Sequence, residues 1–231
     1  MYKKIELILT ILLLIGLLAL GRNMRSFVSS GKVKVSENTV LIDPGHGGKD
    51  PGKVGVNDAL EKDLNLQIGK TLKKHLEKQD FQVVMTREKD ETLAEGSTDN
   101  TKVQDMKERV KLINSTAPAL AVSIHQNSYH ESGIHGAQVF YYSHSAEGKK
   151  AAEIMQQALL MVDEDNTRQA KANDTYYILK RTEVPTIIIE CGFLSNPEEA
   201  ELLADEEYQD KLAEAVTEGV KSYLSSKSVG K

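Results

Sequence analysis

The chain has 231 residues, of which 40% are hydrophobic and 27% charged, with one cysteine and no tryptophan. That is enough for one well-buried domain, and a single cysteine excludes an intrachain disulfide framework. The formal net charge is −5, or −6 once the +1 of residues 1–21 (Lys3, Lys4, Glu6) is set aside; an acidic chain with no basic run argues against nucleic acid as a partner.

In chain order, the first element is a targeting segment. Lys3 and Lys4 precede residues 7–20, an apolar run broken only by Thr10 and Gly16. Its length, 14 residues, is short of the about 20 that a full span takes, and Ala19-Leu20-Gly21 has the small-x-small form of a cleavage site. Residues 1–21 therefore read as a signal peptide or an N-terminal membrane anchor, which implies export and leaves membrane association open. Residues 22–38 are polar and aperiodic and read as a linker. One folded domain then runs over residues 39–226.

Strand and helix signals alternate from there. Val40-Leu41-Ile42 is a short buried strand, stopped by Asp43-Pro44-Gly45 because Pro44 lacks an N–H and Gly45 permits positive φ. The glycine-rich turn presents His46. Leu60, Leu64, Ile68, Leu72 and Leu76 recur every four residues, so 59–78 reads as an amphipathic helix. Residues 81–85 form a strand. Val103, Met106, Val110 and Ile113 mark a second helix. Residues 119–124 form a continuous apolar strand ending at His125, and 137–142 another strand. Ile154, Met155, Ala158, Leu159 and Val162 mark a third helix. Residues 176–179 read as a short strand, and 186–189 as a β-branched strand ending at Glu190. Ser195-Asn196-Pro197-Glu198 reads as a capping box with Pro in the first turn. Leu212, Val216, Val220 and Tyr223 mark the last helix. Apolar strands between helices predict an α/β fold, a mostly parallel sheet covered on both faces.

Three strands thus end in a residue that binds metal or moves protons: His46, His125 and Glu190. In one sheet those ends share an edge, where open α/β sheets bind ligands. Glu61, just after the His46 loop, can point back to it. Two imidazoles and a carboxylate form a familiar shell for catalytic zinc, and one cysteine is too few for a closed structural site. A second glutamate outside the shell could act as the base. Each residue also has a plainer reading. Glu61 could be the N3 partner of a capping Asp58. His46 could be a loop histidine, Glu190 a salt-bridged strand end, and Cys191 a small buried residue. His75, His130, His135 and His144 read as solvated, and Asp205-Glu206-Glu207 as a helix start. Three other classes stay open. A zinc peptidase or deacylase would use the same residues. A phosphatase with a histidine nucleophile wants clustered arginines, where only Lys49 and Lys53 are near in sequence. A non-catalytic binding module would not need Glu190.

Six segments occur in a telling order: 40–52 (VLIDPGHGGKDPG), 60–66 (LEKDLNL), 84–90 (VMTREKD), 122–128 (VSIHQNS), 136–143 (GAQVFYYS) and 185–196 (PTIIIECGFLSN). Together they resemble the zinc-dependent N-acetylmuramoyl-L-alanine amidases, bacterial cell-wall hydrolases, over residues 39–225. The resemblance implies a three-layer α/β/α domain with a six-stranded mixed sheet. It implies that Zn2+ is held by His46, Glu61 and His125, that Glu190 is the catalytic base, and that Asn127 shapes the substrate site. The implied substrate is peptidoglycan, cut between the lactyl group of N-acetylmuramic acid and L-alanine. With no added wall-binding module visible, the chain is most similar to the germination-specific amidases of spore-formers. That type implies a role in spore cortex maturation toward muramic-δ-lactam, an activating lipoprotein partner in some species, and a place at the outer face of the cytoplasmic membrane, the cell wall or the spore intermembrane space.

Overall fold

The structure is a computed structural model that describes residues 36–94 and 101–228. The targeting segment over residues 1–21 and the linker as far as residue 35 lie outside the described residues. The first strand begins at Ser36, so residues 36–38 belong to it rather than to the linker.

Six strands form one sheet: β1 (Ser36–Pro44), β2 (Gln82–Met85), β3 (Pro118–Asn127), β4 (Gln138–Tyr141), β5 (Lys171–Ala172) and β6 (Thr186–Phe193). Their order is β2-β1-β3-β6-β4-β5. β2, β1, β3 and β6 are mutually parallel, and β4 runs antiparallel to β6. The helices are α1 (Glu61–Glu77), α2 (Thr101–Thr116), α3 (Ala146–Ala158, followed by a 3-10 turn), α4 (Tyr177–Arg181), α5 (Pro197–Ala204) and α6 (Glu206–Ser228).

Alternation along the central strands divides the core between two faces. Val40 and Ile42, Leu120, Val122 and Ile124, and Ile187 and Ile189 pack with Leu64, Ile68, Leu72 and Leu76 of α1 and with α3 and α6. Leu41, Ala121 and Ile188 point the other way, against Val110 and Ile113 of α2 and Ile178 and Leu179 of α4. Successive side chains of a strand face opposite sides, so strands this apolar need cover on both. That produces the three-layer α/β/α sandwich with a mixed sheet that the family resemblance implies.

Two local readings need correction. Residues 176–179, read as a strand, lie at the start of α4. The Asn173 Oδ1 accepts from the N–H groups of Thr175 and Tyr176 at 2.8 and 3.0 Å, an Asx turn that starts a helical turn. The β-favouring Tyr176-Tyr177-Ile178 cannot override that local geometry. The sheet's edge position goes instead to β5, two exposed residues. Before α5 the cap is Asn196, not Ser195. Asn196 Oδ1 accepts from the N–H groups of Glu198 and Glu199, with Pro197 in the first turn, while Ser195 Oγ accepts from Tyr129 N–H.

Candidate metal centre and active site

The His46 turn leaves β1 in a conformation that a free peptide avoids. His46 has φ +61°, a left-handed geometry that costs a residue with a Cβ roughly 1–2 kcal/mol. Two buried arginines hold it. Arg109 of α2 donates from Nη2 to His46 O at 2.6 Å, from Nη1 to Pro44 O at 2.8 Å and to Asp43 Oδ1 at 2.7 Å, and from Nε to Asp105 at 2.6 Å. Arg87, just after β2, donates to the carbonyls of Pro44, Gly45 and Lys62. Asp43 also accepts from the hydroxyls of Thr86 and Ser123, both at 2.7 Å. Burial alone would favour its neutral form. The charge of Arg109 and the three hydrogen bonds outweigh that and hold the carboxyl below the usual carboxylate range. The same bonds bear on the phosphatase alternative. Arginines do lie close to His46, but they are buried and bonded to protein acceptors, not arranged to receive phosphate.

The donors then converge. His46 Nδ1 lies 3.0 Å from Asp50 Oδ2, which leaves Nε2 facing Glu61 Oε1 at 3.1 Å. His125 Nδ1 lies 3.0 Å from the same oxygen. Glu61 opens α1 and does not serve as a cap partner: the N-cap position is Leu60, with no side-chain cap bond. Its carboxylate instead accepts from the N–H groups of Gln126 at 3.1 Å and Lys53 at 2.8 Å. Two glycines make room. A Cβ on Gly45 would strike the His125 ring, and one on Gly52 (φ +70°) would strike Glu61 and His46.

These three residues fit a metal ion. One donor atom from each lies within 4.8 Å of the others. Around zinc with bonds of about 2.0–2.1 Å a tetrahedron's edge is about 3.3 Å, close to the 3.0 and 3.1 Å separations of the Glu61 oxygen from the two imidazoles. Protonation points the same way. Burial opposes the charge on both groups. Their mutual hydrogen bond overrides it, lowering Glu61, helped by His46, and raising His125. A cation between them would take the place of the shared proton, since metal ligation needs a neutral imidazole and an ionised carboxylate.

Beside this cluster stands Glu190, paired across the sheet with His125. It is 7% exposed. Burial pushes its carboxyl up and Glu61's charge adds to that, against the pull of His125, His46 and a hydrogen bond from Tyr176. Tyr176 Oη donates to Glu190 Oε1 at 3.2 Å. A buried carboxyl with a raised pKa beside metal donors is suited to moving protons.

The remaining predicted residues divide. Asn127 stands two residues past His125, where its Oδ1 accepts from Ser128 N–H. Cys191 is fully buried, and burial pushes its thiol well up, as for an inert core residue. His75 pairs with Asp210 and His130 with Glu131, away from the cluster. Sequence reading missed Asp50, Arg87, Arg109 and Tyr176. Only Asp50, four residues after His46, carried a signal, because a histidine ligand usually gives its other nitrogen to a carboxylate.

A doubly covered α/β sheet with a His–Glu–His cluster and a buried carboxylate at its carboxyl edge is the arrangement of a metal-dependent hydrolase. The profile of the N-acetylmuramoyl-L-alanine amidase family matches residues 40–222. The germination-specific N-acetylmuramoyl-L-alanine amidase of Bacillus subtilis is 39% identical over 98% of both chains. The CwlD amidase of Clostridioides difficile, solved in complex with the GerS lipoprotein, superposes with a TM-score of 0.79 at 38% identity, covering 81% of this chain and 98% of that one. The amidase AmiC2 of Nostoc punctiforme gives 0.72 at 32% identity, covering 83% and 99%. The chain belongs to the N-acetylmuramoyl-L-alanine amidase family. It is a cell-wall hydrolase that cleaves the amide between N-acetylmuramic acid and L-alanine in peptidoglycan. Enzymes of this family are in general zinc-dependent.

Proposed function

We propose that His46, Glu61 and His125 hold one zinc ion and that Glu190 is the general base and acid of the amide cleavage. The observation that carries this reading is the meeting of three donor atoms from three different elements beside a buried carboxylate. Zinc bound there would supply a Lewis acid that polarises the lactyl carbonyl and makes water acidic enough to attack near neutral pH. The chain's own residues do the rest. Asp50 holds the His46 ring with Nε2 inward, and the N–H groups of Gln126 and Lys53 orient Glu61. Glu190 takes the proton of the attacking water as the new C–O bond forms. It returns that proton to the alanine nitrogen as the C–N bond breaks, leaving a lactyl carboxylate and a free amino terminus. Asn127, at the end of β3 two residues past His125, is assigned to shaping the substrate site, as the resemblance implies.

We further assign the chain to spore cortex maturation, with a lipoprotein as activating partner. The near full-length likeness to a germination-specific amidase and the likeness to an amidase solved with a lipoprotein support this. Cell-wall amidases are generally extracellular or spore-associated. Export by residues 1–21, to the outer face of the cytoplasmic membrane, the wall or the spore intermembrane space, follows from Lys3, Lys4 and the apolar run. Among the described residues no helix is long and apolar enough to cross a membrane. Mass spectrometry of peptidoglycan after incubation with purified protein tests the reaction. New alanine amino termini and free lactyl carboxylates should form with zinc and not with a chelator; undiminished cleavage without metal would refute it. A reporter fused after Phe27 should reach the outside of the cytoplasm, and spores lacking the gene should lack muramic-δ-lactam. A cytoplasmic reporter or normal lactam content would end the respective assignment.

A further inference from the structure

Glu190 offers two oxygens, and the structure treats them differently. Oε1 receives the Tyr176 hydroxyl at 3.2 Å. Oε2 is buried and has no hydrogen-bond partner among the described residues. A carboxylate left to itself turns freely about its last bond, which is broad and two-fold. A base that must meet one water and then one amine needs its carboxylate held in one orientation. Tyr176 is built to supply that constraint. Its backbone N–H is tied to Asn173 Oδ1 at 3.0 Å, at the entry to α4. Its ring packs edge-on against Phe140 of β4, with centroids 5.7 Å apart and planes at 79°. Phe140 lies opposite Ile188 of β6, the strand that carries Glu190. Phenol and carboxylate are thus set by neighbouring parts of one sheet face and the turn that covers it.

We propose that Tyr176 is a positioning residue for the general base: its hydroxyl pins Oε1 of Glu190 and so fixes the orientation of the carboxylate that takes and returns the proton. The inference rests on Glu190 being the base. The hydrogen bond is long, as catalytic hydrogen bonds often are before substrate is bound. Its second effect is electrostatic. A donor on the ionised carboxylate offsets part of the cost of keeping it buried near Glu61.

The test compares Tyr176→Phe, Tyr176→Leu, Glu190→Gln and the Tyr176→Phe/Glu190→Gln double variant. Each is assayed in saturating zinc on a soluble muramyl peptide, with zinc content and melting temperature measured alongside. Tyr176→Phe should lower kcat about tenfold, the scale of one hydrogen bond to a charged acceptor, with KM and zinc content unchanged and a small fall in melting temperature from the lost bond to the buried carboxylate. Tyr176→Leu should lose the same kcat and melt earlier than Tyr176→Phe, because the ring contact with Phe140 goes with the hydroxyl. On the residual rate of Glu190→Gln, Tyr176→Phe should have no further effect. If Tyr176→Phe keeps kcat within twofold while Glu190→Gln loses about 10²-fold or more, the positioning role is wrong and the base assignment stands. An undiminished further loss in the double variant would also overturn it, since the hydroxyl would then act elsewhere. If Glu190→Gln itself stays within threefold of wild type, it is the base assignment that fails.

Discussion

The two glutamates of the site differ in what each side chain touches, and one substitution at each separates their roles. Glu61 is nearly enclosed, with one oxygen shared between His46 and His125 and hydrogen bonds from two backbone N–H groups. Glu61→Gln keeps the volume but replaces an anionic donor by a neutral amide, which is a far weaker ligand for zinc. Bound zinc should fall well below one per chain while the fold persists; full occupancy by metal analysis would remove Glu61 from the shell. Glu190 sits beside the cluster, with one oxygen on Tyr176. Glu190→Gln should leave zinc and peptidoglycan binding in place, since a base contributes mainly in the transition state. Loss of acid–base assistance costs about 10²–10⁴-fold in rate, or roughly 3–5 kcal/mol of barrier. The measurement is release of new alanine amino termini. A parallel loss of zinc would recast Glu190 as a fourth ligand.

Among the elements, α2 fixes the β1 turn through one side chain. Arg109 and Asp43 are both almost fully buried and 2.7 Å apart, and Arg109 also holds the carbonyl of the strained His46. Removing one partner of such a pair strands a buried charge at a cost of about 3–5 kcal/mol. Asp43→Asn and Arg109→Met should each lose stability of that order in denaturant unfolding at pH 7, and a loss under about 1 kcal/mol would mean that the pair does not anchor the turn. The pH dependence follows from the same contact. The folded pKa of Asp43 lies below its ordinary value of 3.8, so its contribution is complete above that value and is lost as the pH falls through the lower, folded one. Stability of the wild type should therefore drop more steeply below about pH 4 than that of Asp43→Asn. None of this network was legible in the sequence. A buried arginine in a polar-looking helix such as α2 has the same letters around it as an exposed one. The central strands were legible, because Val40-Leu41-Ile42 and Ile187-Ile188-Ile189 are apolar on both faces. The turn before α4 was not, because one Asn173 side chain decides it against the β-favouring Tyr176, Tyr177 and Ile178. β5 left no trace, having two exposed residues and no side chain in the core.

For the molecule as a whole, the sequence told more about where the site is than about what supports it. The strand ends read at His46, His125 and Glu190 could share an edge only if β1, β3 and β6 were parallel neighbours, and they are, although β3 runs on to Asn127 and β6 to Phe193. That arrangement makes the metal a cross-link. The proposed ligands come from the turn after β1, from the first residue of α1 and from β3, elements that also share one core. The unfolded chain separates His46 and His125 widely in sequence and gives zinc no comparable site, so binding should favour the native state. At a zinc concentration about 100 times the dissociation constant, that linkage is worth about 2.7 kcal/mol. A domain of this size shifts its melting temperature by roughly 2–4 °C per kcal/mol, so saturating zinc should raise it by about 5–10 °C over the chelated protein. Glu61→Gln should show little of this rise, whereas Glu190→Gln should show all of it, because only the first removes a ligand. The readout is thermal melting followed by circular dichroism at stepped zinc concentrations, and it needs no substrate. A wild-type melting temperature indifferent to zinc would mean that the three donors do not clasp the metal in the folded chain. A full rise in Glu61→Gln would move the site to other residues.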